Sequence, residues 1–199
     1  MHRANLNRKT NPRVRDGKVL KKNHGRLTPW RGFVIDRQAP KPGFRHLVTK
    51  RNLFDFIELL PDWRNLIHGI ERVRLGPGDE DTDAFYVHYG REGTGAIELA
   101  AWKSELIQEI PTDYFEEHWS IFKKIELKFE ETREGVICWF DEDKARAFIL
   151  VHIFLHELGH HLDRMRGKRS SSGESYAEKF ANELEEVVWP RYVERFGKP

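Results

Sequence analysis

Apolar residues recur every three to four positions over the last third of the chain and alternate or run together through the middle. The first third shows neither pattern. The clearest segment follows Asp141-Glu142-Asp143, acids that suit a helix start, and ends at Arg164, Arg166 and Gly167. Between them Phe148, Ile149, Val151, Ile153, Phe154, Leu155, Leu158 and Leu162 wrap most of a helix in apolar side chains. Such a helix, ~35 Å long at 1.5 Å per residue, is expected to run through a core. A polar loop, Gly167–Gly173, then leads to a final helix from about Glu174 to Trp189-Pro190, with Ala177, Phe180, Ala181, Leu184 and Val188 on one face.

Upstream, Thr49 caps a helix predicted over Lys50–Leu60, stopped by Pro61, with Leu53, Phe56, Ile57 and Leu60 on one side. Strands are expected at Ile70–Leu75, Ala84–Tyr89 and Thr94–Trp102. Pro111-Thr112-Asp113 opens a helix to about Lys124, and a hairpin follows with arms Ile125–Glu130 and Val136–Phe140. Residues 1–43, punctuated by Pro and Gly, read as a poorly ordered arm, and residues 44–199 as one α+β domain.

Composition narrows the classes. No stretch approaches the ~20 apolar residues a membrane span requires, and no signal peptide follows the polar start Met1-His2-Arg3-Ala4-Asn5. The single cysteine, Cys138, excludes an internal disulfide, so a reducing, cytoplasmic location is expected. Charge is divided unevenly: residues 1–51 hold 15 Lys/Arg against two acids, and the remainder holds 19 against 30. The basic arm admits three readings: a solvated tail, a nucleic-acid contact made through phosphates with Trp30 and Phe33 interleaved, or a segment docking on an acidic surface. No DNA-reading module accompanies it, so sequence-specific recognition is not supported.

The chemistry concentrates in His156-Glu157-Leu158-Gly159-His160. Two histidines four apart share one helix face and can reach a single ion at ~2.0–2.1 Å, the distance zinc prefers. Glu157, about a quarter turn away, is placed beside the metal's open position as a general base. The bland reading, two structural histidines on a core helix, would leave buried polar groups needing partners. Zinc needs a third protein ligand, and 13 residues separate His160 from Glu174. Small Ala177 and Ala181 would let the final helix approach closely, with Glu178 one turn on accepting the outer N–H of a ligating histidine. Glu178 is also the alternative ligand, with Asn182 behind it; Glu174 is preferred because the alternative turns charged Glu185 onto the packed face. Cys138 is a weaker candidate, and His152 and His161 read as core or supporting residues. Tyr176, Arg191 and Tyr192 are candidates for stabilising an oxyanion, and the Thr94–Trp102 strand for pairing with an extended substrate.

The pairing of His156-Glu157-Leu158-Gly159-His160 with Glu174, Ala177, Glu178, Phe180 and Ala181 resembles the gluzincins, especially the compact ImmA/IrrE-like peptidases. The resemblance covers Phe148 to about Pro190. It differs in having Glu178 where Asn or Asp is usual, and in a short spacing between motif and third ligand. It implies a zincin-like fold, a mostly antiparallel sheet followed by the two metal-bearing helices. It further implies a zinc-dependent peptidase whose substrate is a regulatory protein or peptide. The alternative is a nucleic-acid-associated binding protein with a structural or idle zinc site.

Overall fold

The computed structural model describes residues 32–78, 83–89, 94–166 and 173–199, together with two short strands, β1 (Val14–Arg15) and β2 (Lys18–Val19), which pair with each other. Most of residues 1–43, the expected arm, lies outside the described residues. One part of it does not: β3 (Val34–Arg37) forms an outer strand of the main sheet. Phe33 and Ile35 pack against the core there, so the ordered body reaches back past the expected start at Phe44.

β4 (Phe44–Arg45) precedes α1 (Lys50–Leu59), where Thr49 and Asn52 form a reciprocal capping box. Leu53, Phe56 and Ile57 turn into the core as their spacing predicts. A short α2 (Trp63–Leu66) leads to β5 (Ile70–Leu75), β6 (Ala84–His88) and β7 (Gly95–Leu99). The four-stranded sheet has the order β3-β5-β7-β6. β3 and β7 both run parallel to β5, and only β6 is antiparallel to its neighbour. The expectation of a mostly antiparallel main sheet is therefore wrong. Strand spacing shows which residues face the core, but pairing direction depends on long connections that the spacing does not encode. The same topology puts β7 between two partners, so it offers no free edge; the sheet's edges are β3 and β6.

β8 (Trp102–Lys103) pairs with β4, and β9 (Ile107–Ile110), a strand the pattern did not reveal, pairs with β11 (Val136–Trp139), which also pairs with β10 (Lys128–Glu131). Between them the expected single helix is broken at His118 into α3 (Thr112–Glu117) and α4 (Trp119–Lys124).

Asp141 accepts the Lys144 N–H at 2.8 Å and starts α5 (Glu142–Phe148). The helix continues through one widened turn over Ile149–Ile153, where the Phe154 N–H reaches the Ile149 carbonyl five residues back, into α6 (Phe154–Met165). π turns of this kind recur at functional sites. α7 (Gly173–Phe196) runs past Pro190 rather than ending there. Proline removes one helical hydrogen bond, but docking on α1 offsets that loss. Tyr192 is buried edge-on to Phe56, Arg191 donates to the Leu59 carbonyl at 2.8 Å, and Arg195 pairs with Asp55 at 2.9 Å. No helix among the described residues is long and apolar enough to cross a membrane.

Candidate metal centre

α6 and α7 lie against each other at Gly159, where a Cβ would stand 2.7 Å from the Ala177 Cα. Only glycine allows that approach, and it brings the first turn of α7 over the motif face of α6. His156 Nε2 and His160 Nε2 are 3.1 Å apart. Glu174 Oε2 lies 3.3 Å from the first and 3.4 Å from the second. Three donors bound tetrahedrally at zinc's usual bond lengths would be separated by roughly 3.3–3.5 Å. Two of the three separations fall in that range and the third is slightly shorter, so these residues could hold a metal ion.

Glu178 lies behind His156 rather than beside Glu174. Its Oε2 is 3.1 Å from His156 Nδ1, and its Oε1 accepts from Asn182 Nδ2 at 2.9 Å. A proton on Nδ1 leaves the Nε2 lone pair facing His160 and Glu174, the usual arrangement behind a ligating histidine. Burial alone would raise the Glu178 carboxyl, but the hydrogen bond from His156 and the nearby His152 ring hold it far below the carboxylate range. The same contact raises His156 against the pull of burial, while burial and the neighbouring His156 lower His160.

Glu185 is fully buried, contrary to the reason for disfavouring Glu178. Lys124 Nζ at 2.6 Å and Ser120 Oγ at 3.1 Å satisfy its Oε1. A charge on the packed face is tolerable when α4 brings it a partner, and the helical period of α7 alone could not show this.

Glu157 is 8% exposed, and burial raises its carboxyl to about 7; the His156 charge and the Tyr86 backbone N–H oppose that rise, and the Glu174 charge adds to it. It therefore sits where a group can both accept and release a proton near neutrality. Two cavities of about 410 Å³ meet here, both lined by Ala84, His156, Glu157 and Glu174. Tyr114, His118 and Glu178 help wall one; Phe85, Tyr86 and Arg164 help wall the other. β6 lends Ala84 to both cavities and Phe85 and Tyr86 to the second, and it is held to α6 by the Tyr86 hydroxyl, 3.0 Å from His161 Nδ1. The Tyr86 ring occupies the space a side chain on Gly95 would need.

Several candidates lie elsewhere. Cys138 is fully buried on β11 and belongs to neither metal-competent cluster. His161 Nε2 is 2.8 Å from the His68 carbonyl, an anchoring role. Tyr176 stacks on Phe180 beneath Arg166, while Arg191 and Tyr192 dock α7 on α1, so none lines either cavity. Sequence reasoning missed Tyr114, His118 and Arg164 as cavity walls. For His118 the available signal was a histidine at helical spacing between Phe115 and Phe122. Compared with known proteins, the chain matches no family model, no curated protein and no solved structure.

Proposed function

We propose that the protein is a zinc-dependent peptidase that cleaves a protein or peptide substrate, with His156, His160 and Glu174 as metal ligands and Glu157 as general base. The observation that carries this reading is the convergence of His156 Nε2, His160 Nε2 and Glu174 Oε2 within 3.1–3.4 Å of one another, beside a buried carboxylate. A bound zinc would supply a Lewis acid that lowers the pKa of water and polarises a scissile carbonyl. Glu157 takes the proton of the attacking water and delivers it to the departing amine, a double role favoured by a carboxyl poised near 7. The Tyr86 N–H orients that carboxylate, and Glu178 keeps the His156 ring in the tautomer that presents Nε2. β6 is hydrogen-bonded on one side only among the described residues and rims both cavities, so an extended peptide adds to it as a further strand.

An antiparallel edge strand beside the motif helix, with the third ligand on the following helix, supports a zincin-like arrangement and the resemblance to the compact ImmA/IrrE-like peptidases. On that resemblance the substrate is a regulatory protein. The test is cleavage of an unstructured peptide library by the zinc-loaded full chain, read by mass spectrometry, with Glu157→Gln alongside. The variant is expected to keep zinc and lose ~10²-fold or more in rate. Cleavage by the variant at the wild-type rate, or a wild-type chain that takes up no zinc, would overturn the proposal.

A further inference from the structure

A second group of donors lies along the same helix, one turn before the motif. His152, on the widened turn, is fully buried, and its Nε2 has no hydrogen-bond partner among the described residues. The nearest carboxylate oxygen to that atom is Glu178 Oε2 at 3.6 Å, too far for a hydrogen bond. His118, 6% exposed at the break between α3 and α4, completes the group. One donor atom from each of the three lies within 4.8 Å of the others.

The protons on both rings are assigned by what the other nitrogens face. His118 Nδ1 is 2.8 Å from the Tyr114 carbonyl, which can only accept, so Nδ1 carries the proton and Nε2 a lone pair. His152 Nδ1 faces Glu185 Oε2 at 3.5 Å, and Glu185 is itself fixed by Lys124 and Ser120. That leaves the buried His152 Nε2 as the ring nitrogen free to face an ion. Metal-ligating histidines are held in this way, one nitrogen anchored on a carbonyl or carboxylate and the other presented to the ion. A buried ring nitrogen without a hydrogen-bond partner is costly, and a cation there would satisfy it. We infer that His118, His152 and Glu178 form a second site for a divalent transition-metal ion, adjoining the first.

Two imidazoles and one carboxylate are the ligand chemistry of zinc and its first-row neighbours rather than of calcium or magnesium. This inference deepens the function proposed above, because Glu178 serves both groups: it supports His156 from behind and ligates the second ion directly. The widened turn has a purpose in this reading. It sets His152 so that one ring faces both Glu185 and Glu178 across the helix packing.

The full chain, stripped of metal and titrated with zinc by calorimetry, is expected to bind two equivalents. His118→Phe keeps an aromatic ring against Phe122 and Phe148 but has no lone pair, and should bind one. His160→Ala should also bind one, and the double variant none, with circular dichroism verifying that each is folded. One equivalent in the wild type, lost in His160→Ala and unchanged in His118→Phe, would refute the second site and leave the first standing. It would make His152 a charged link between Glu178 and Glu185. One equivalent lost in His118→Phe and retained in His160→Ala would support the second site and refute the proposed catalytic centre. No binding would refute both.

Discussion

Replacing Gly159 with alanine sets two effects against each other, and the structure decides between them. In the middle of a helix, Gly→Ala ordinarily stabilises by about 1 kcal/mol. Here the new methyl would meet Ala177 at 2.7 Å from its Cα, 3.1 Å from its carbonyl oxygen and 3.2 Å from its Cβ. Comfortable carbon contacts begin near ~3.5 Å, so α7 must retreat from α6 by a large part of an ångström. Overpacking of this kind costs about 1–3 kcal/mol, which cancels the propensity gain or exceeds it by up to about 2 kcal/mol. The larger consequence is positional. α7 carries Glu174 and Glu178, α6 carries both histidines, and the donor separations of 3.1–3.4 Å leave no slack. Zinc affinity should fall on the order of 10–100-fold, the size of effect seen when a ligand's support is disturbed. Urea unfolding of the metal-free protein gives the first quantity and zinc titration against a competing chelator the second. A variant about 1 kcal/mol more stable than wild type, with undiminished zinc affinity, would refute the close approach of the two helices as the device that builds the site.

Other expectations follow from the same contacts. Glu174→Ala leaves two imidazoles and should abolish tight zinc binding at the motif, whereas Glu178→Ala should weaken it ~10–100-fold with binding recovered in excess metal; equal losses on chelator titration would contradict the division of roles. Lys124→Met strips the main cation from fully buried Glu185 and should destabilise by about 3 kcal/mol, with Lys124→Met/Glu185→Leu recovering much of it in denaturant melts. Glu185 also sets a pH dependence. Despite burial, its hydrogen bonds with His152 and Lys124 lower the folded carboxyl below 4.5, so its contribution is full above that value and drains as pH falls. The stability difference between wild type and Glu185→Gln, measured on metal-free protein, should therefore shrink below pH 4.5, and a difference independent of pH would refute that pairing.

The local features of this site were legible in the sequence, and the long-range ones were not. The motif, Gly159, Ala177 and Ala181 announced two closely packed helices, because small residues at a helix interface leave a direct trace. Thr49 and Asp141 announced two helix starts for the same reason: a cap acts within three residues. The widened turn at Ile149–Ile153 left no such trace, since every residue of it is buried and the apolar pattern tolerates either winding. Glu185 looked misplaced on the packed face until α4 supplied Lys124, a partner 61 residues distant in the chain. The edge strand was misassigned for a related cause. β6 and β7 are both short, largely apolar runs, and only the connection that inserts β7 beside β5 decides which one is left free.

The central claim is that His156, His160 and Glu174 hold one zinc ion with a position left open toward Glu157. Anomalous diffraction at the zinc edge from crystals of the zinc-loaded full chain measures this most directly. A peak is expected ~2.0–2.2 Å from His156 Nε2, His160 Nε2 and Glu174 Oε2, with no fourth protein ligand and the Glu157 carboxylate alongside but unbound. Absence of a peak among those three atoms, or a peak there closed by a fourth protein side chain, would contradict it.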